Sequence, residues 1–269
     1  MPGETRNWVG NLLLRTPASV RSIRNLPVLG GLMHRLSHRL LSSDEKIWAR
    51  IEAGSAKGLW MELNPRTGQS YLRGDAEIAV QKVLTERLRP GMVFYDLGAN
   101  IGLFSMLAAR IVGSRGRVFS FEPDPQTAAR LERNVERNEL RNMTIVRKGV
   151  GSTSGKHAFA PADSSSPDLG TGRFVKGGES ANAILLECVA LDDFAREAPA
   201  PQAIKCDVEG AEVEVLRGAE RTLREHRPWI LCEMHSEAND RTCRELLENL
   251  GYKIDVVDSH HILAAPQKV

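Results

Sequence analysis

The chain has 269 residues, 42% hydrophobic and 26% charged, with a formal net charge of +2 at pH 7. This length is enough to bury the core of one large α/β domain. The near balance of charge argues against nucleic acid as a partner, because nucleic-acid-binding domains usually carry a strongly basic face. No apolar run reaches the roughly 18 residues of a membrane span, and the N-terminus lacks the apolar segment of a signal peptide.

The four cysteines are spaced without a Cys-x-x-Cys pair: Cys188, Cys206, Cys232 and Cys243. Two of them lie in apolar runs typical of buried strands. We interpret them as reduced thiols in a core rather than as a disulfide or zinc framework. This cysteine usage predicts a cytoplasmic protein.

Residues 1–50 carry eight basic and three acidic side chains, a net charge of +5 that leaves −3 for the rest of the chain. Their apolar residues recur at helical spacing, with interruptions at Pro17 and Pro27. We predict a basic helical extension over residues 1–57, packed as a cap on an α/β domain at residues 58–269. A basic amphipathic segment of this kind could instead make peripheral contact with an acidic membrane surface, and that alternative stays open.

The start of the predicted domain contains two short apolar segments, Leu59–Leu63 and Ser70–Leu72, which indicate two strands joined by a turn. Asp75 stands where it could cap a helix over residues 76–88.

Val93–Gly102 is an apolar run that contains Asp96, passes through Gly98 and Gly102, and leads into helical spacing of apolar residues. This order predicts strand, tight turn and helix, the first unit of a nucleotide-binding α/β domain. The glycines allow a sharp turn and close approach to a ligand. The new helix presents unpaired N–H groups at its start, so we expect a polar ligand there.

The kind of ligand follows from the glycine spacing and from Asp96. Gly98-x-x-x-Gly102 is neither a dinucleotide fingerprint nor a Walker loop. Asp96 would repel a phosphate and attract an ammonium. S-adenosylmethionine carries an ammonium and a sulfonium and no phosphate, and the stretch resembles the first motif of the methyltransferases that use it. A glycine turn that binds nothing remains the alternative.

The second strand of the domain is predicted at Arg117–Phe121 and ends at Glu122, 24 residues after Gly98. In nucleotide-binding folds, an acid at this strand tip accepts hydrogen bonds from the ribose hydroxyls. We therefore assign the ribose to Glu122. Pro123 and Pro125 stop the strand, and Pro125 can open the following helix.

A third strand is predicted over residues 143–147. Many methyltransferases follow this strand with an acid that holds the adenine amino group, but here Gly149 and Val150 stand nearby and no acid does. We expect backbone groups near these two residues to hold the adenine. Residues 151–182 are rich in Gly, Ser, Pro and Asp and predict a mobile excursion, either a substrate wall or a variable surface loop.

Ala203–Glu212 is again a strand that ends in acids and turns through a glycine into a helix, and Pro228–His235 is a strand that ends in polar groups. Parallel α/β sheets bind ligands at the carboxyl ends of their strands. Four acids should therefore gather at one edge of the sheet: Asp96, Glu122, Asp207 and Glu233.

These motifs together resemble the FkbM family of S-adenosylmethionine-dependent methyltransferases. The likeness rests on D-L-G-A-N-I-G from Asp96, F-E-P-D-P from Phe121, K-C-D-V-E-G-A-E from Lys205 and I-L-C-E-M-H from Ile230, and it spans residues 70–255. It implies a Rossmann-like fold, with a mostly parallel seven-stranded sheet, helices on both faces and a final hairpin containing one antiparallel strand. It also implies O-methylation of hydroxyls on natural products, sugars or glycolipids.

The cofactor is thus predicted to be S-adenosylmethionine. Glu77 joins the candidates because the family often has an acid at this point. The predicted cofactor set comprises Asp96, Gly98, Ala99, Asn100 and Gly102 at the methionine end, Glu122 and Pro123 at the ribose, Gly149 and Val150 at the adenine, and Glu77 in the pocket.

An acceptor hydroxyl needs a general base or a metal ion to activate it. His235 has the best unperturbed pKa for a base, with Glu233 or Asp207 to orient it. Lys205 could neutralise these acids, and Glu209 completes the predicted catalytic set. Asp207 and Glu233 could instead hold Mg²⁺. We favour a metal-free base and assign no metal ligand, because no Asp-Asp or Asp-Asn pair follows the Glu233 strand.

His260 and His261 fall at the turn of the predicted final hairpin, over strands 252–257 and 261–265, and are expected to be exposed. Two rival function classes stay open: a nicotinamide-dependent oxidoreductase and a non-catalytic, membrane-associated binding protein. The acceptor is predicted to be a small or glycosylated molecule. Neither its identity nor the oligomeric state follows from the sequence.

Overall fold

A computed structural model describes residues 46–65, 67–161, 172–175 and 182–267. These residues form two compact units, one of residues 46–76 and one from residue 77 onward. Most of the predicted N-terminal extension lies outside the described residues, and the domain boundary after residue 57 stays a prediction. Within the described ranges, no helix has the length and apolar character that crossing a membrane requires.

The first unit contains an antiparallel pair of strands, β1 (Ile47–Arg50) and β2 (Trp60–Leu63). The predicted helical extension is wrong at β1. Its buried Ile47 and Ala49 alternate with exposed Trp48 and Arg50, which is the two-residue period of a strand.

The second strand predicted for this unit, Ser70–Leu72, is also wrong, because this segment is a short helix, α1 (Gln69–Arg73). Gly74 ends α1 in the left-handed conformation, with φ 73°, and its N–H bonds to carbonyls of the last turn. A Cβ at Gly74 would lie 1.9 Å from the carbonyl oxygen of Ala53. The chain therefore leaves the helix through a turn that requires glycine.

The second unit begins with helix α2 (Ile78–Arg87), close to the predicted range. Glu77 precedes α2 in the left-handed conformation, with φ 44°, and no described side chain caps the helix. The predicted cap by Asp75 is wrong, because its carboxylate lies 2.6 Å from the guanidinium of Arg73 instead.

The remaining strands alternate with helices along the chain. The strands are β3 (Val93–Leu97), β4 (Arg117–Phe121), β5 (Met143–Val146), β6 (Gly149–Val150), β7 (Gly155–Ala160), β8 (Arg173–Phe174), β9 (Ile184–Val189), β10 (Ala203–Cys206), β11 (Trp229–Glu233), β12 (Tyr252–Val256) and β13 (His261–Pro266). The helices are α3 (Leu103–Val112), α4 (Pro125–Arg137), α5 (Leu191–Phe194), α6 (Glu212–Arg217), α7 (Glu220–His226) and α8 (Glu237–Asn249).

Seven strands form the main sheet in the order β12-β13-β11-β10-β3-β4-β5. All neighbouring pairs are parallel except those of β13, which runs antiparallel to β11 and β12. The predicted Rossmann-like sheet with one antiparallel strand is confirmed. From β3 the chain moves one way through β4 to β5, and from β10 it moves the other way to β11. Crossover connections between parallel strands are right-handed. The helices between β3, β4 and β5 therefore cover one face of the sheet, and those between β10 and β11 cover the other.

The change of direction between β3 and β10 creates a topological switch point, where open α/β sheets form a crevice at the carboxyl ends of the strands. The core beneath it is aromatic. The ring of Tyr95 packs against those of Phe119, Phe121 and Phe194, with centroids 5.3–5.7 Å apart. All four cysteines are buried free thiols, as predicted.

The region predicted as a mobile excursion, residues 151–182, contains strands and is to that extent wrongly predicted. Its described parts include β7 and β8, which join β6 and β9 in a separate sheet of order β6-β9-β7-β8. The Phe159 ring is buried in this sheet, 5.3 Å from the Phe174 ring. Lys156–Ala160 begins with two polar residues and has only three apolar residues between turn-forming segments, so it gives a weak strand signal. Residues 162–171 and 176–181 lie outside the described residues.

Candidate active site

Gly98 brings the loop after β3 into contact with the loop after β10. Its φ is 77°, and a Cβ there would lie 1.7 Å from the carbonyl oxygen of Asp207. The N–H groups of Gly98 and Ala99 donate to the carbonyl of Phe121 at the end of β4. Glycine is thus required where two backbones meet at the switch point.

Glu122 lies just past β4 and is bound to the glycine loop. Its carboxylate accepts hydrogen bonds from the backbone N–H groups of Asn100 and Asp124, both at 2.9 Å. Burial raises the pKa of Glu122 to about 7, although both N–H groups favour the ionised form. Asn100 itself adopts a left-handed conformation with φ 48°. The predicted ribose ligand is therefore a positioned carboxylate beside the loop.

Asp96 is fully buried within β3. One carboxylate oxygen accepts a hydrogen bond from the Ser105 hydroxyl at 2.5 Å, and the other lies 3.5 Å from the Lys205 ammonium. Burial raises the pKa of Asp96, and Lys205 opposes that rise. Asp96 is therefore held inside the sheet, beneath the predicted methionine site.

Lys205 lies between two carboxylates, 3.5 Å from Asp96 and 3.1 Å from Asp207, and its side chain is only 3% exposed. Burial alone would lower the pKa of Lys205, but the carboxylates of Asp207, Asp96 and Glu77 outweigh it and raise the pKa. The lysine is therefore charged, as expected of a residue that neutralises these acids.

His235 forms a dyad with Glu212, whose carboxylate lies 2.6 Å from its Nδ1. Its Nε2 faces the carboxylates of Asp207, at 3.7 Å, and Glu209, at 3.5 Å. The Glu212 hydrogen bond raises the pKa of His235 to about 9. A neutral imidazole with this pKa is a stronger proton acceptor than an ordinary histidine, but it is less populated near neutral pH.

Glu212 orients His235 at Nδ1, so the prediction that Glu233 or Asp207 does this is wrong. Further hydrogen bonds fix the Glu212 carboxylate, one from the N–H of Gly210 at 2.8 Å and one from the amide of Asn239 at 2.5 Å. Burial opposes ionisation of Glu212, but these hydrogen bonds and His235 hold its pKa below its usual value.

Asp207 and Glu209 leave the helix start at α6 uncapped. Ala211 precedes α6, and no described side chain makes a capping hydrogen bond there. Glu209 adopts the left-handed conformation, with φ 51°, and burial raises its pKa. The sequence alternative in which these two acids cap the helix is therefore wrong, and both face His235.

His261 is buried, with 7% of its surface exposed, so the prediction of an exposed turn residue is wrong. It is the first residue of β13 and pairs with Glu233 on β11. Its Nε2 lies 3.5 Å from the Glu233 carboxylate and 3.8 Å from that of Glu77, while Nδ1 faces Asp258 at 2.9 Å. The His261 imidazole lowers the pKa of Glu233 to about 2. The sheet thus brings Glu77, Glu233 and His261 together.

Gly149 and Val150 form β6, which pairs with β9 at Cys188 and Val189. A Cβ at Gly149 would lie 2.1 Å from the Phe174 ring, so the second sheet packs directly on this glycine. Pro123 separates β4 from α4. Adenine binding at Gly149 and Val150 stays a prediction.

A cavity of about 290 Å³ lies beside the ends of β11 and β13. Its lining includes the two site histidines, His235 and His261, and Ser236 at the start of α8. Asp258 in the β12–β13 turn and Ile262 on β13 complete this side. The two histidines therefore border one cavity.

Comparison with known proteins places this chain in a family. The model of the methyltransferase FkbM domain matches residues 96–254, more than half of the chain. The chain belongs to the FkbM methyltransferase family. It is therefore an S-adenosylmethionine-dependent methyltransferase with a Rossmann-like fold.

Two curated relatives and one solved structure are similar to this chain. Hexuronic acid methyltransferase AglP of Haloferax volcanii is 31% identical over 69% of this chain and 72% of its own length. 2-O-methyltransferase NoeI of Sinorhizobium fredii is 28% identical over 65% of this chain and 75% of its own. The crystal structure of methyltransferase FkbM from Methylobacillus flagellatus is 20% identical, covering 70% of this chain and 53% of that one, with a TM-score of 0.48.

Sequence reasoning missed three members of this candidate site: Glu212, Asp258 and His261. Glu212 closes the K-C-D-V-E-G-A-E motif, so the motif itself carried the signal. His261 is signalled by the register of the last hairpin, which places it opposite Glu233. Asp258 lies three residues before His261, in the same hairpin turn.

Proposed function

We propose that this methyltransferase transfers the methyl group to an oxygen, the hydroxyl of a small or glycosylated molecule. The observation that carries the proposal is the Glu212–His235 dyad, whose Nε2 faces Asp207 and Glu209 beside a cavity that a small molecule can enter. The names of two relatives, hexuronic acid methyltransferase and 2-O-methyltransferase, support a sugar-like acceptor.

The charges of the site suit the cofactor. Around Lys205, His235 and His261, the described carboxylates outnumber the cationic groups. S-adenosylmethionine supplies an electrophilic methyl group on a sulfonium, and its ammonium adds a second positive charge. An acid-rich crevice at the switch point favours such a ligand over a phosphate-bearing one.

We propose that the residues after β3 and β4 hold the cofactor in two parts. Asp96, Gly98, Ala99, Asn100 and Gly102 frame the methionine end, where Asp96 acts from within the sheet through its charge. Glu122 accepts the ribose hydroxyls, with Pro123 beside it. Backbone groups of Gly149 and Val150 border the adenine. The predicted cofactor role of Glu77 stays a prediction, because its carboxylate faces His261.

We propose that His235 accepts the proton of the acceptor hydroxyl. Glu212 holds Nδ1, so that Nε2 is the atom that faces the acceptor. Asp207 and Glu209 stabilise the imidazolium that forms, because both carboxylates lie within 4 Å of Nε2. Lys205 lies between Asp207 and Asp96 and opposes the rise that burial causes in the pKa of Asp96. The catalytic role predicted for Glu233 stays a prediction, because its carboxylate faces His261, which is not the proposed base.

Calorimetry with the full chain tests the cofactor part. S-adenosylhomocysteine should bind, NAD should not, and anionic liposomes report on the basic N-terminus, which lies outside the described residues. Glu122→Gln is the matched variant and should weaken only the first of these interactions. Binding of NAD with none of S-adenosylhomocysteine would contradict the proposal.

The acceptor is tested with S-adenosylmethionine that carries a deuterated methyl group. Extracts are incubated with the full chain or with His235→Ala, and mass spectrometry finds products labelled only by the first. Mild alkali then separates the two oxygen chemistries, since it removes the label from a methyl ester and leaves a methyl ether intact. If alkali releases the label, the product is a methyl ester, and the acceptor group is a carboxylate rather than a hydroxyl.

A further inference from the structure

The Glu233–His261 pair forms a second cluster that the proposed transfer does not use. β11 and β13 place the two residues opposite each other, and Glu77 reaches the same point from the start of α2. The Nε2 of His261 lies 3.5 Å from Glu233 and 3.8 Å from Glu77. Yet this buried nitrogen has no hydrogen-bond partner among the described residues. A buried polar atom without a partner calls for a ligand.

Asp258 fixes the orientation of the His261 ring. The carboxylate oxygens of Asp258 lie 2.9 and 3.1 Å from Nδ1. The backbone N–H groups of His260 and His261 donate to the same carboxylate, each at 2.9 Å, and hold it in place. In the neutral tautomer whose Nδ1–H donates to Asp258, Nε2 would carry the lone pair, and it lies between the other two acids. Histidines that bind metals are commonly held in this way.

We propose that Glu77, Glu233 and His261 bind a divalent metal ion of the zinc class. The three donor atoms lie within 4.8 Å of one another. With an ion about 2.1 Å from each donor, separations of 3.5 and 3.8 Å correspond to angles of roughly 110° and 130°, the first near the tetrahedral angle and the second wider. Three protein ligands leave a coordination position for an oxygen ligand. The proposal concerns binding of the ion and sets no requirement for turnover.

The donor types select the ion. An imidazole nitrogen with two carboxylates suits zinc, cobalt or iron, whereas Mg²⁺ prefers an all-oxygen shell. A second group, Asp207, Glu233 and His235, also has donor atoms within 4.8 Å. It is the weaker candidate, because Lys205 already lies 3.1 Å from Asp207, and Glu212 and Glu209 surround the His235 ring.

Co²⁺ is a direct probe, because its visible absorption reports the number and type of its ligands. The full chain, freed of metal with EDTA and dialysed, is titrated with Co²⁺. We expect one tight site, displaced by Zn²⁺ and unaffected by Mg²⁺ at equal concentration. His261→Ala and Glu233→Gln should each lose this site, and Asp258→Asn should weaken binding by roughly 10- to 100-fold. His260→Ala changes the exposed neighbour and should bind as the wild type does.

Thermal unfolding in EDTA shows whether each variant folds. If His261→Ala does not fold, the loss of affinity in Asp258→Asn, which keeps the shape of the side chain, decides whether the site exists. Failure of the wild type to bind Co²⁺ or Zn²⁺ would overturn the proposal, and His261 would then form only an ion pair with Glu233. The proposal also fails if His261→Ala keeps the site while His235→Ala loses it, because the ion would then belong to the second group.

Discussion

Asp96 and Lys205 stand opposite each other on β3 and β10, and the ammonium of the lysine lies 3.5 Å from the carboxylate of the aspartate, with almost no access to water for either. The charges of the two residues are therefore compensated inside the sheet, directly beneath the switch point. Asp207, 3.1 Å from the same ammonium, connects this pair to the acids that face His235.

Lys205→Met should destabilise the fold strongly, because it leaves the Asp96 carboxylate buried without a counter-charge. Breaking a buried ion pair in this way costs about 3 to 5 kcal/mol. Lys253→Met is the matched control, since Lys253 lies 2.9 Å from Asp255 at the surface and such exposed pairs contribute less than about 1 kcal/mol. Urea unfolding measures both. Equal losses from the two substitutions would contradict the role given to Lys205.

Gly98→Ala should disrupt the contact between the loops after β3 and β10. The new Cβ would lie 1.7 Å from the Asp207 carbonyl oxygen, so that backbone must move. Gly91→Ala is the control, because Gly91 also has a positive φ but has no described atom within 4 Å of its Cβ position. The control isolates the conformational cost, about 1 to 2 kcal/mol. The unfolding temperature and the affinity for S-adenosylhomocysteine should both fall further in Gly98→Ala than in Gly91→Ala. Equal effects of the two substitutions would show that the contact with Asp207 is unimportant.

Cofactor affinity should depend on pH through Glu122. Its pKa in the free protein is about 7, raised by burial, and the ionised carboxylate is the better acceptor for ribose hydroxyls. Below pH 7 the free protein is increasingly protonated at Glu122, and binding must release that proton. The affinity for S-adenosylhomocysteine should therefore fall by up to about tenfold for each unit by which the pH is lowered. Calorimetry at pH 5.5, 7 and 8.5 measures this. Glu122→Gln should bind more weakly and lose the pH dependence, whereas parallel profiles would assign the titration to another group.

His235→Ala should lower kcat by roughly 10²- to 10⁴-fold and leave the affinity for S-adenosylhomocysteine unchanged, because it removes the proposed base and no cofactor contact. His226→Ala, a change at an exposed histidine in the last turn of α7, should leave both unchanged. A wild-type kcat in His235→Ala would exclude this histidine as the base.

Glu212→Gln tests whether Glu212 positions the His235 ring for catalysis. It keeps a hydrogen-bonding side chain next to Nδ1 but removes the charge that raises the pKa of His235. We expect a lower kcat with an unchanged KM for the acceptor. If kcat stays at the wild-type value while stability falls, Glu212 is structural.

The sequence predicted the main sheet well, because its strands are short apolar runs that end in acids and turn through glycine. Since parallel strands end at one edge, Asp96, Glu122, Asp207 and Glu233 could be placed at that edge before the structure was known. The contact partners could not be predicted in this way. His261 meets Glu233 through the antiparallel register of β13, and Glu212 meets His235 through the approach of α6 to β11.

Local patterns failed where tertiary contacts decide the conformation. Ser70–Leu72 has the composition of a strand, but it is helical and the chain turns away at Gly74 beside Ala53. β7 looked like a loop because its apolar part is short and lies among turn-forming residues. Its partner β9 is more than 20 residues away along the chain, which a local pattern does not capture.

Three residues near the site, Glu77, Asn100 and Glu209, hold a left-handed backbone that glycine would adopt at lower cost. Each carries a side chain or an N–H group that meets another part of the site. The strain is of order 1 kcal/mol or more for each. Selection for thermal stability alone would therefore favour glycine at these positions, and a thermostable variant obtained by such selection would be expected to lose cofactor or acceptor binding.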